Sequence, residues 1–505
     1  MNDITNKLEN LKSDIEEAKT YFFNILKNLE GTIHIYTHID ADGISSGAIL
    51  GKALYRANLP FQITVLRQLE REEIIQIREN DYNNFIIFSD FGSGQYLELQ
   101  DKLTNNDHNI HFLILDHHFP QHIANKEDSN SINDVYQKTK PWHLNPYFYG
   151  IDGSIEISGA GMSYYFAKCL NENNIDMSPV AIIGAIGDIQ NQGLNKSFLG
   201  LNSLILEDAK NNGYIEIIDD LNFSSIKPLN EAIAYSSEIK LPGLSNDVNK
   251  TLKFLQTLGI LMEDSEGNIR TLYDLNNDEK QKLSSGIIEF STITLDIEPN
   301  QIIEKLIVNR YLLKKEINFN KLYDSKEFSN LLNACGRTNN ASLGISLAMG
   351  DRKNAYEQSQ EILKKYKNLL RKSMIWLRKN EKIQQKEYIQ YFYGEEQIPE
   401  NIIGTIASML VFSKSDVIDL TKPIFGIAIR EDEDVYKISG RAHEQIVKKG
   451  INLSEAIRET LKLSDLNALG GGHPPAAGTK VPVEKIDIFL DNCNKVIKKQ
   501  LKRLD

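Results

Sequence analysis

Apolar residues recur every three or four positions over residues 1–30, and this spacing predicts one amphipathic helix. Further along, apolar residues gather in short runs with the length of buried strands, at 32–37, 61–66, 85–89, 112–115 and 180–186. Helical patterns at 43–56 and 157–170 lie between these runs. The alternation predicts an α/β fold in which helices cover both faces of a mostly parallel sheet.

The second half of the chain changes character twice. Residues 190–330 are mixed and asparagine-rich, show no chemical motif, and predict a mostly helical insertion or cap. Residues 351–386 predict a connecting helix; from Arg352 to Lys386 they hold 11 basic and 3 acidic residues, which suit either a polyanion groove or a plain solvated face. Shorter strand and helix patterns then return. The predicted organisation is a helix at 1–30, a main domain at 31–350 that contains the insertion, the connecting helix at 351–386, and a smaller α/β domain at 387–505.

Composition limits the classes of protein that fit. The 505 residues include 57 basic and 69 acidic side chains, a net charge of −12, which excludes a uniformly basic nucleic-acid binder but permits a local basic groove. The three cysteines are far apart, and we find neither a signal-peptide pattern nor an apolar run near the roughly 20 residues that span a bilayer. We therefore expect a cytoplasmic protein without disulfides.

Acidic and imidazole side chains follow four of the apolar runs. They are His38, Asp40, Asp42, Asp90, Asp116, His117, His118 and Asp188. Because the carboxyl ends of parallel strands form one crevice, we expect these side chains to lie together. A single aspartate after a strand is often just the N-cap of the next helix. Four such motifs with a doubled histidine instead predict one shared site.

The types of ligand in this set indicate a metal. Five carboxylates in one crevice repel one another strongly unless cations neutralise them. Carboxylate and imidazole without thiolate suit Mn²⁺ or Mg²⁺. If the chain is still extended at Asp40 and Asp42, both carboxylates face the same side. The set is large enough for two ions, which together can assist an in-line attack on phosphorus.

The motifs resemble those of the DHH phosphoesterase superfamily. Asp116-His117-His118 matches the triplet that names it, and the glycine-rich stretch 470–478 with Ser439-Gly440-Arg441 resembles the associated DHHA1 domain. Residues 332–337 (LNACGR) resemble the segment before the interdomain helix of RecJ-type exonucleases. The sequence around Asp188 is most similar to archaeal RecJ relatives, including the GINS-associated nuclease.

The resemblance implies a role for each matching residue. His38, Asp40 and Asp90 would hold one manganese ion. Asp42, Asp90, His117 and Asp188 would hold the other, with Asp90 shared. Asp116 would orient a ligand, and His118 would contact the scissile phosphate or assist proton transfer. The residues implied in substrate binding are Arg337, Ser439, Arg441, Gly471, Gly472 and His473.

The glycine run also has a reading of its own. Its backbone N–H groups allow close approach of a phosphate. Taken without the metal motifs, GGGH would more simply be a tight turn with a structural histidine.

The resemblance implies a metal-dependent exonuclease that degrades single-stranded DNA, 5′→3′, to mononucleotides in replication or repair. Two alternatives stay open. One is a 3′→5′ enzyme acting on RNA or short oligonucleotides. The other is a non-catalytic replisome scaffold that binds GINS. Single-stranded nucleic acid is the expected partner, and no membrane is expected.

Overall fold

The computed structural model describes residues 2–81, 83–104, 110–120, 142–236, 238–295, 298–317, 322–412, 417–430, 434–468 and 470–502. The chain forms two compact units, Met1–Leu363 and Lys364–Asp505. No helix within the described ranges is long and apolar enough to cross a membrane.

A five-stranded parallel sheet forms the framework of the first unit, with strand order β2-β1-β3-β4-β5. The strands are β1 (Ile33–His38), β2 (Phe61–Leu66), β3 (Phe85–Ser89), β4 (His111–Leu115) and β5 (His143–Leu144). The apolar runs of β1, β3 and β4 are almost completely buried, as expected for strands covered on both faces. The predicted α/β fold with a parallel sheet is therefore confirmed.

Helices pack on both faces of this sheet. They are α1 (Asn2–Leu26), α2 (Ala41–Arg56), α3 (Arg71–Asn80), α4 (Tyr96–Leu99), α5 (Gly159–Leu170) and α6 (Ser178–Gly187). Helix α2 is buried along most of its length between β1, α5 and α6, because its many small residues allow close approach of its neighbours. The helices predicted at 1–30, 43–56 and 157–170 are confirmed with small shifts at their ends.

The prediction of a strand at 180–186 is wrong, because this segment forms helix α6. The run is apolar on all sides, and α6 is buried on all sides except at its carboxyl end. A short apolar run fits a buried helix as well as a buried strand.

The insertion contains five helices and one β-ribbon among its described residues. The helices are α7 (Gly200–Asn211), α8 (Leu229–Ala234), α9 (Val248–Thr257), α10 (Asn277–Leu295) and α11 (Pro299–Leu306). Strands β6 (Ile215–Leu221) and β7 (Ile307–Leu313) pair antiparallel. Buried Arg310 of β7 donates to the carbonyl oxygen of Leu221 (2.6 Å) and to the Asp324 carboxylate. The expected mostly helical character holds, with this ribbon in addition.

Two helices complete the first unit, α12 (Ser325–Arg337) and α13 (Ala341–Met349). Asp324 caps α12 by accepting from the amides of Lys326 and Glu327. At the other end of α12, Asn333 Oδ1 accepts a hydrogen bond from the Ala41 amide (3.0 Å). Helix α12 therefore fixes the turn between β1 and α2.

A mixed six-stranded sheet forms the second unit, in the order β12-β13-β11-β10-β9-β8. Its strands are β8 (Gln384–Gln385), β9 (Gln390–Tyr393), β10 (Ile424–Arg430), β11 (Val435–Arg441), β12 (Gly470–His473) and β13 (Ala476–Pro482). Its helices are α15 (Glu400–Phe412), α16 (Glu444–Lys448), α17 (Leu453–Leu463) and α18 (Ile486–Lys502). The long helix α14 (Asn354–Lys379) contains the point at which the two units divide.

We predict that Gly336→Ala destabilises the first unit by about 2 kcal/mol or more, because overpacking at a rigid contact is costly. A Cβ atom at Gly336 would lie 1.7 Å from the carbonyl oxygen of Ile39, so α12 or the β1–α2 turn would have to move. Chemical denaturation measures the effect. Gly94→Ala is the matched control, since its Cβ would meet no atom within 4 Å. Equal stability of the two variants would contradict the prediction.

Candidate metal centre

The end of β1 supplies the first three side chains of the site. Asp40 caps α2 by accepting from the Gly43 amide (3.1 Å), and its other oxygen lies 2.7 Å from His38 Nδ1. The condition under which Asp40 and Asp42 would face the same side, an extended chain through Asp42, is not met, because α2 begins at Ala41. Consequently Asp40 and Asp42 do not share one face, and their carboxylates reach different neighbours.

Asp90 follows β3 and lies between two imidazoles. Its Oδ2 is 3.5 Å from His38 Nδ1, and its Oδ1 is 3.2 Å from His117 Nε2. The residue is 1% exposed, and its backbone has a φ of +63°. Among the residues that the structure describes, neither of its carboxylate oxygens has a hydrogen-bond partner.

The Asp116-His117-His118 triplet follows β4. Asp116 Oδ2 accepts from the Ser93 amide (2.9 Å), while Oδ1 accepts from the His117 amide (2.7 Å) and contacts His118 Nδ1 (2.8 Å). Its buried carboxylate is thus occupied by neighbouring donors. His117 Nδ1 lies 2.6 Å from the carbonyl oxygen of Gly153, so this nitrogen donates and Nε2 carries a lone pair in the neutral ring.

His117 Nε2 points into a ring of carboxylates. It lies 3.2 Å from Asp90 Oδ1, 3.2 Å from Asp188 Oδ2 and 3.7 Å from Asp42 Oδ2. None of these contacts has hydrogen-bond geometry, and in the described part of the chain Nε2 is a buried atom without a partner. Buried polar atoms are nearly always partnered, so the cluster has the donor atoms of a ligand site.

Asp42 is held by the amino end of α5. Its two oxygens accept from the amides of Gly159 (2.6 Å) and Ala160 (3.0 Å), where the helix dipole favours negative charge. Glycine is required beside it: a Cβ at Gly159 would lie 2.6 Å from Asp90 Oδ1, and one at Gly184 would lie 2.5 Å from Asp42 Oδ1. Neither glycine was predicted from the sequence. The Ser158-Gly159 start of a helix was the available signal.

Asp188 reaches the cluster from the carboxyl end of α6, not from a strand. Gln190, two residues after Asp188, is fully buried, and its Nε2 donates to the carbonyl oxygens of Gly153 (2.9 Å) and Ile157 (3.2 Å). Gly153 is the residue that accepts from His117. Gln190, also missed in the sequence, therefore fixes the surroundings of both Asp188 and His117.

The site residues form two adjoining groups in which potential ligand atoms lie within 4.8 Å of one another. One is His38, Asp40 and Asp90; the other is Asp42, His117 and Asp188. A third, overlapping group consists of Asp90, Asp116, His117 and His118. The structure thus brings together all eight side chains that the sequence placed in one crevice.

Charge repulsion dominates the site. Burial, then the charges of Asp90 and Asp188, raise the pKa of Asp42 well above its usual range. Burial opposes charging of His38, but Asp40 and Asp90 outweigh it and raise the pKa of His38 to about 10. Likewise the carboxylates of Asp188 and Asp90 outweigh burial and raise the pKa of His117. Divalent cations fit such a site, because the carboxylates repel one another and the buried oxygens of Asp90 and Nε2 of His117 have no hydrogen-bond partner among the described residues.

Arg337 lies in the same unit as this cluster. Burial disfavours the charged form of Asp40, but His38 and then Arg337 favour it and lower the pKa of Asp40. Arg337 is therefore close enough to act on the site through its charge.

The other predicted substrate-binding residues lie in the second unit, on β11 and β12, which both pair with β13 between them. Ser439 pairs with Gly478 and Gly478 with Gly471; Arg441 pairs with Ala476 and Ala476 with His473. Directly opposed residues share a face of a sheet, as do residues two apart in a strand. Ser439, Arg441, Gly471 and His473 therefore project from one face, where Arg441 Nε donates to Ser408 Oγ of α15 (2.7 Å).

The GGGH segment is a strand and not a turn. It forms β12, and the connection to β13 is Pro474-Pro475. Gly472 has a φ of +137°, and a Cβ there would lie 2.4 Å from the carbonyl oxygen of Ala476. This glycine is therefore required by the hairpin itself.

Three family models match the chain. The N-terminal domain of the DHH family matches residues 32–187, the DHH-CID domain matches 224–307, and the DHHA1 domain matches 386–499. The uncharacterized protein MJ0831 of Methanocaldococcus jannaschii is 33% identical over 499 residues, which cover 98% of this chain and all of that protein. The chain belongs to the DHH family, as its motifs indicated.

Solved structures show the same fold at low sequence identity. CDC45 from Entamoeba histolytica matches with a TM-score of 0.64 at 14% identity, over 96% of this chain and 99% of that one. RecJ in complex with Mn²⁺ from Thermus thermophilus matches with a TM-score of 0.54 at 16% identity, over 96% of this chain and 55% of that one. The predicted RecJ-like fold is confirmed. Family membership and the acidic cluster together support a hydrolase of the phosphodiesterase class.

We predict that Mn²⁺ raises the melting temperature by several degrees, because a ligand that binds only the folded state stabilises it. Asp42→Asn should lose most of this rise, although the amide oxygen can still accept from the start of α5. Without metal, the stability of the same variant should change little, because it loses one of the two hydrogen bonds from α5 but also a repelling charge. Differential scanning fluorimetry with a Mn²⁺ titration measures both.

Asp81→Asn is the control for this experiment. Asp81 is also a buried carboxylate, but it is bound to His34 (2.7 Å) and Tyr36 of β1 and belongs to none of the ligand groups among the described residues. Its variant should be less stable yet show the full Mn²⁺-dependent rise. A full rise in Asp42→Asn would contradict the metal assignment.

Proposed function

We propose that the chain is a Mn²⁺-dependent exonuclease that hydrolyses single-stranded DNA, 5′→3′, to mononucleotides. The observation that carries the proposal is the pair of adjoining ligand groups with Asp90 between them. RecJ structures that contain manganese have the same fold, which supports a divalent cation here, and Mn²⁺ is the ion to test first.

Each ligand group would hold one ion. His38 and Asp40 would bind the first, Asp42, His117 and Asp188 the second, and Asp90 both. Bound ions would neutralise the carboxylates and supply Lewis acidity for attack of water on phosphorus. Asp116, whose oxygens are occupied by donors, would orient the triplet.

His118 is the residue that we assign to proton handling. Burial disfavours its charged form, but the Asp116 carboxylate at Nδ1 outweighs this and raises the pKa of His118. With Nδ1 committed to Asp116, the ring presents Nε2. A proton held at Nε2 can hydrogen-bond to an oxygen of the scissile phosphate.

The second unit would hold the strand. In this proposal the main domain at 31–350 cleaves, the DHHA1 domain at 387–505 binds phosphate, and the helix at 351–386 connects them. The shared face with Ser439, Arg441 and His473 offers a cation and an imidazole, and Gly471 and Gly472 allow close approach of the backbone. Lys and Arg side chains of α14 would contact further phosphates.

A replisome scaffold that binds GINS is the second candidate, and the similarity in fold to CDC45 is the observation that favours it. A protein that had lost catalysis would have no reason to retain a buried cluster of repelling carboxylates. All eight side chains are present here, so the enzyme is the better-supported candidate. The two functions are compatible in one chain.

We predict that the chain digests a single strand in Mn²⁺ and not in EDTA, and that Asp188→Ala abolishes digestion while the fold survives. The strand, as DNA and as RNA, carries a label at either end, so the order of products gives polarity and substrate. Asp219→Ala, which removes an exposed carboxylate of β6, is the control and should be fully active. Activity of Asp188→Ala at saturating Mn²⁺ would refute the assignment.

We predict that His473→Ala lowers kcat/KM for a strand more than for a small chromogenic diester, with manganese content unchanged. The reason is that His473 belongs to the other unit, so only a substrate that reaches both units would lose a contact. His443→Ala is the control, because His443 only caps α16 in the same unit. Equal losses for both substrates would mean that His473 supports the metal centre instead.

A further inference from the structure

One residue beside the metal ligands has an unusual backbone conformation. Of the described non-glycine residues with positive φ, Ile189 (φ +58°) is the β-branched one; the others are asparagine, aspartate, glutamate or lysine. The left-handed region is a genuine outlier for a β-branched side chain. Such outliers persist where the surrounding structure over-determines them, and they concentrate at functional sites.

The strain at Ile189 comes from the way α6 ends. The Ile189 amide donates to the carbonyl oxygen of Ile186 (3.0 Å), and the Gln190 amide donates to that of Ala185 (2.9 Å). These two bonds define a Schellman motif in which Ile189 occupies the position that usually takes glycine. An isoleucine here is therefore placed against the local conformational preference.

Buried polar contacts hold Ile189 in this conformation. Gln190 is fully buried and donates to Gly153 and Ile157, and its Oε1 accepts from Asn202 Nδ2 (2.7 Å). On the other side, Asp188 belongs to the metal cluster. Ile189 thus lies between two residues whose positions are fixed.

Burial does not compensate for the strain, because Ile189 is 51% exposed. Its exposed apolar side chain directly follows Asp188, whose carboxylate is 24% exposed and lies 3.2 Å from His117 Nε2. A glycine or asparagine would suit the backbone better and would put no apolar surface into solvent. The feature that isoleucine adds is an exposed aliphatic side chain on the residue next to a candidate metal ligand.

We propose that Ile189 is a specificity-determining residue that packs against the nucleoside next to the scissile phosphate. A sugar or base presents an apolar face that an aliphatic side chain can cover. Because the backbone of Ile189 is fixed on both sides, its side chain can order the nucleoside at little entropic cost. The proposal rests on the proposed nuclease function. The contact with Ile189 would make the site prefer a nucleic-acid strand to a minimal phosphodiester, which has no nucleoside to pack against it.

Two substitutions separate contact from strain. Ile189→Gly and Ile189→Asn both suit the left-handed backbone, so both should raise the melting temperature by a few degrees. Both should lower kcat/KM for a single strand roughly tenfold, while a small chromogenic diester is cleaved at the parent rate. Leu194→Ala is the control, since Leu194 is 79% exposed on the same segment but is not adjacent to a metal ligand; it should be unchanged with both substrates.

Three results would overturn the proposal. Unchanged strand cleavage in the two variants would mean that Ile189 makes no substrate contact. Equal losses for strand and diester would mean that it acts through Asp188 on the metal centre. An equal loss in Leu194→Ala would mean that exposed apolar surface contributes without regard to position.

Measuring the binding of a nucleic-acid strand separates the test of the Ile189 contact from the test of the nuclease function. Fluorescence anisotropy with a short labelled strand, in Ca²⁺, reports affinity without cleavage. If the parent binds the strand but never cleaves it, the nuclease proposal fails, and a weaker affinity of Ile189→Gly still supports the contact. Equal affinity of parent and variant, or no binding by the parent, overturns the contact.

Discussion

The first unit is organised around one electrostatic constraint, which is to keep several carboxylates and an imidazole within a few ångström of one another away from water. Asp42 and Asp90 are almost completely buried, and Asp188 lies beside them. At such distances like charges in a poorly solvated site repel strongly. Burial and this repulsion together raise the pKa of Asp42. Burial opposes charging of His117, but the carboxylates of Asp188 and Asp90 attract a positive charge on its ring and raise its pKa.

The surrounding elements resist this repulsion with fixed dipoles and close backbone contacts. The first amides of α5 hold Asp42, and the Gly153 carbonyl orients His117. Gly159 and Gly184 leave no room for side chains where the carboxylates lie. Helix α12 adds a further support, because Asn333 binds the turn that carries Asp40 and Asp42. The result is a preorganised set of ligand atoms whose negative charge a bound cation would neutralise.

The insertion is connected to this arrangement through α12. Asp324 caps that helix and also accepts from Arg310 of β7 and from Ser225 (3.0 Å). The insertion, which matches the DHH-CID model, thus shares a buried polar network with the helix that positions the β1–α2 turn. The candidate metal centre and its structural support therefore belong to one unit, and the DHHA1 face that we propose to bind phosphate belongs to the other.

The sequence by itself determined four of the five strands of the parallel sheet, the helices at 1–30, 43–56 and 157–170, and the eight side chains of the site; the two-residue strand β5 is too short to leave a pattern. The spacing of apolar residues in strands and helices and the position of aspartate after a strand are local signals. Each depends on only a few neighbouring residues. The DHH triplet and the glycine-rich stretch gave the family for the same reason.

Tertiary structure decided what depends on contacts between distant segments. The run before Asp188 is a helix that could not be told from a strand in the sequence. It is buried on nearly all sides, so it lacks the alternation of apolar and polar residues that distinguishes the two. Asp40 and Asp42 serve different ligand groups because α2 begins between them. Gly159 and Gly184 matter because α5 and α6 pack against α2. Ile189 is held in its strained conformation by the end of α6 and by Gln190, which is anchored to Gly153 and Ile157. Spacing in the sequence cannot show these features, since each arises from packing between segments that the fold alone brings together.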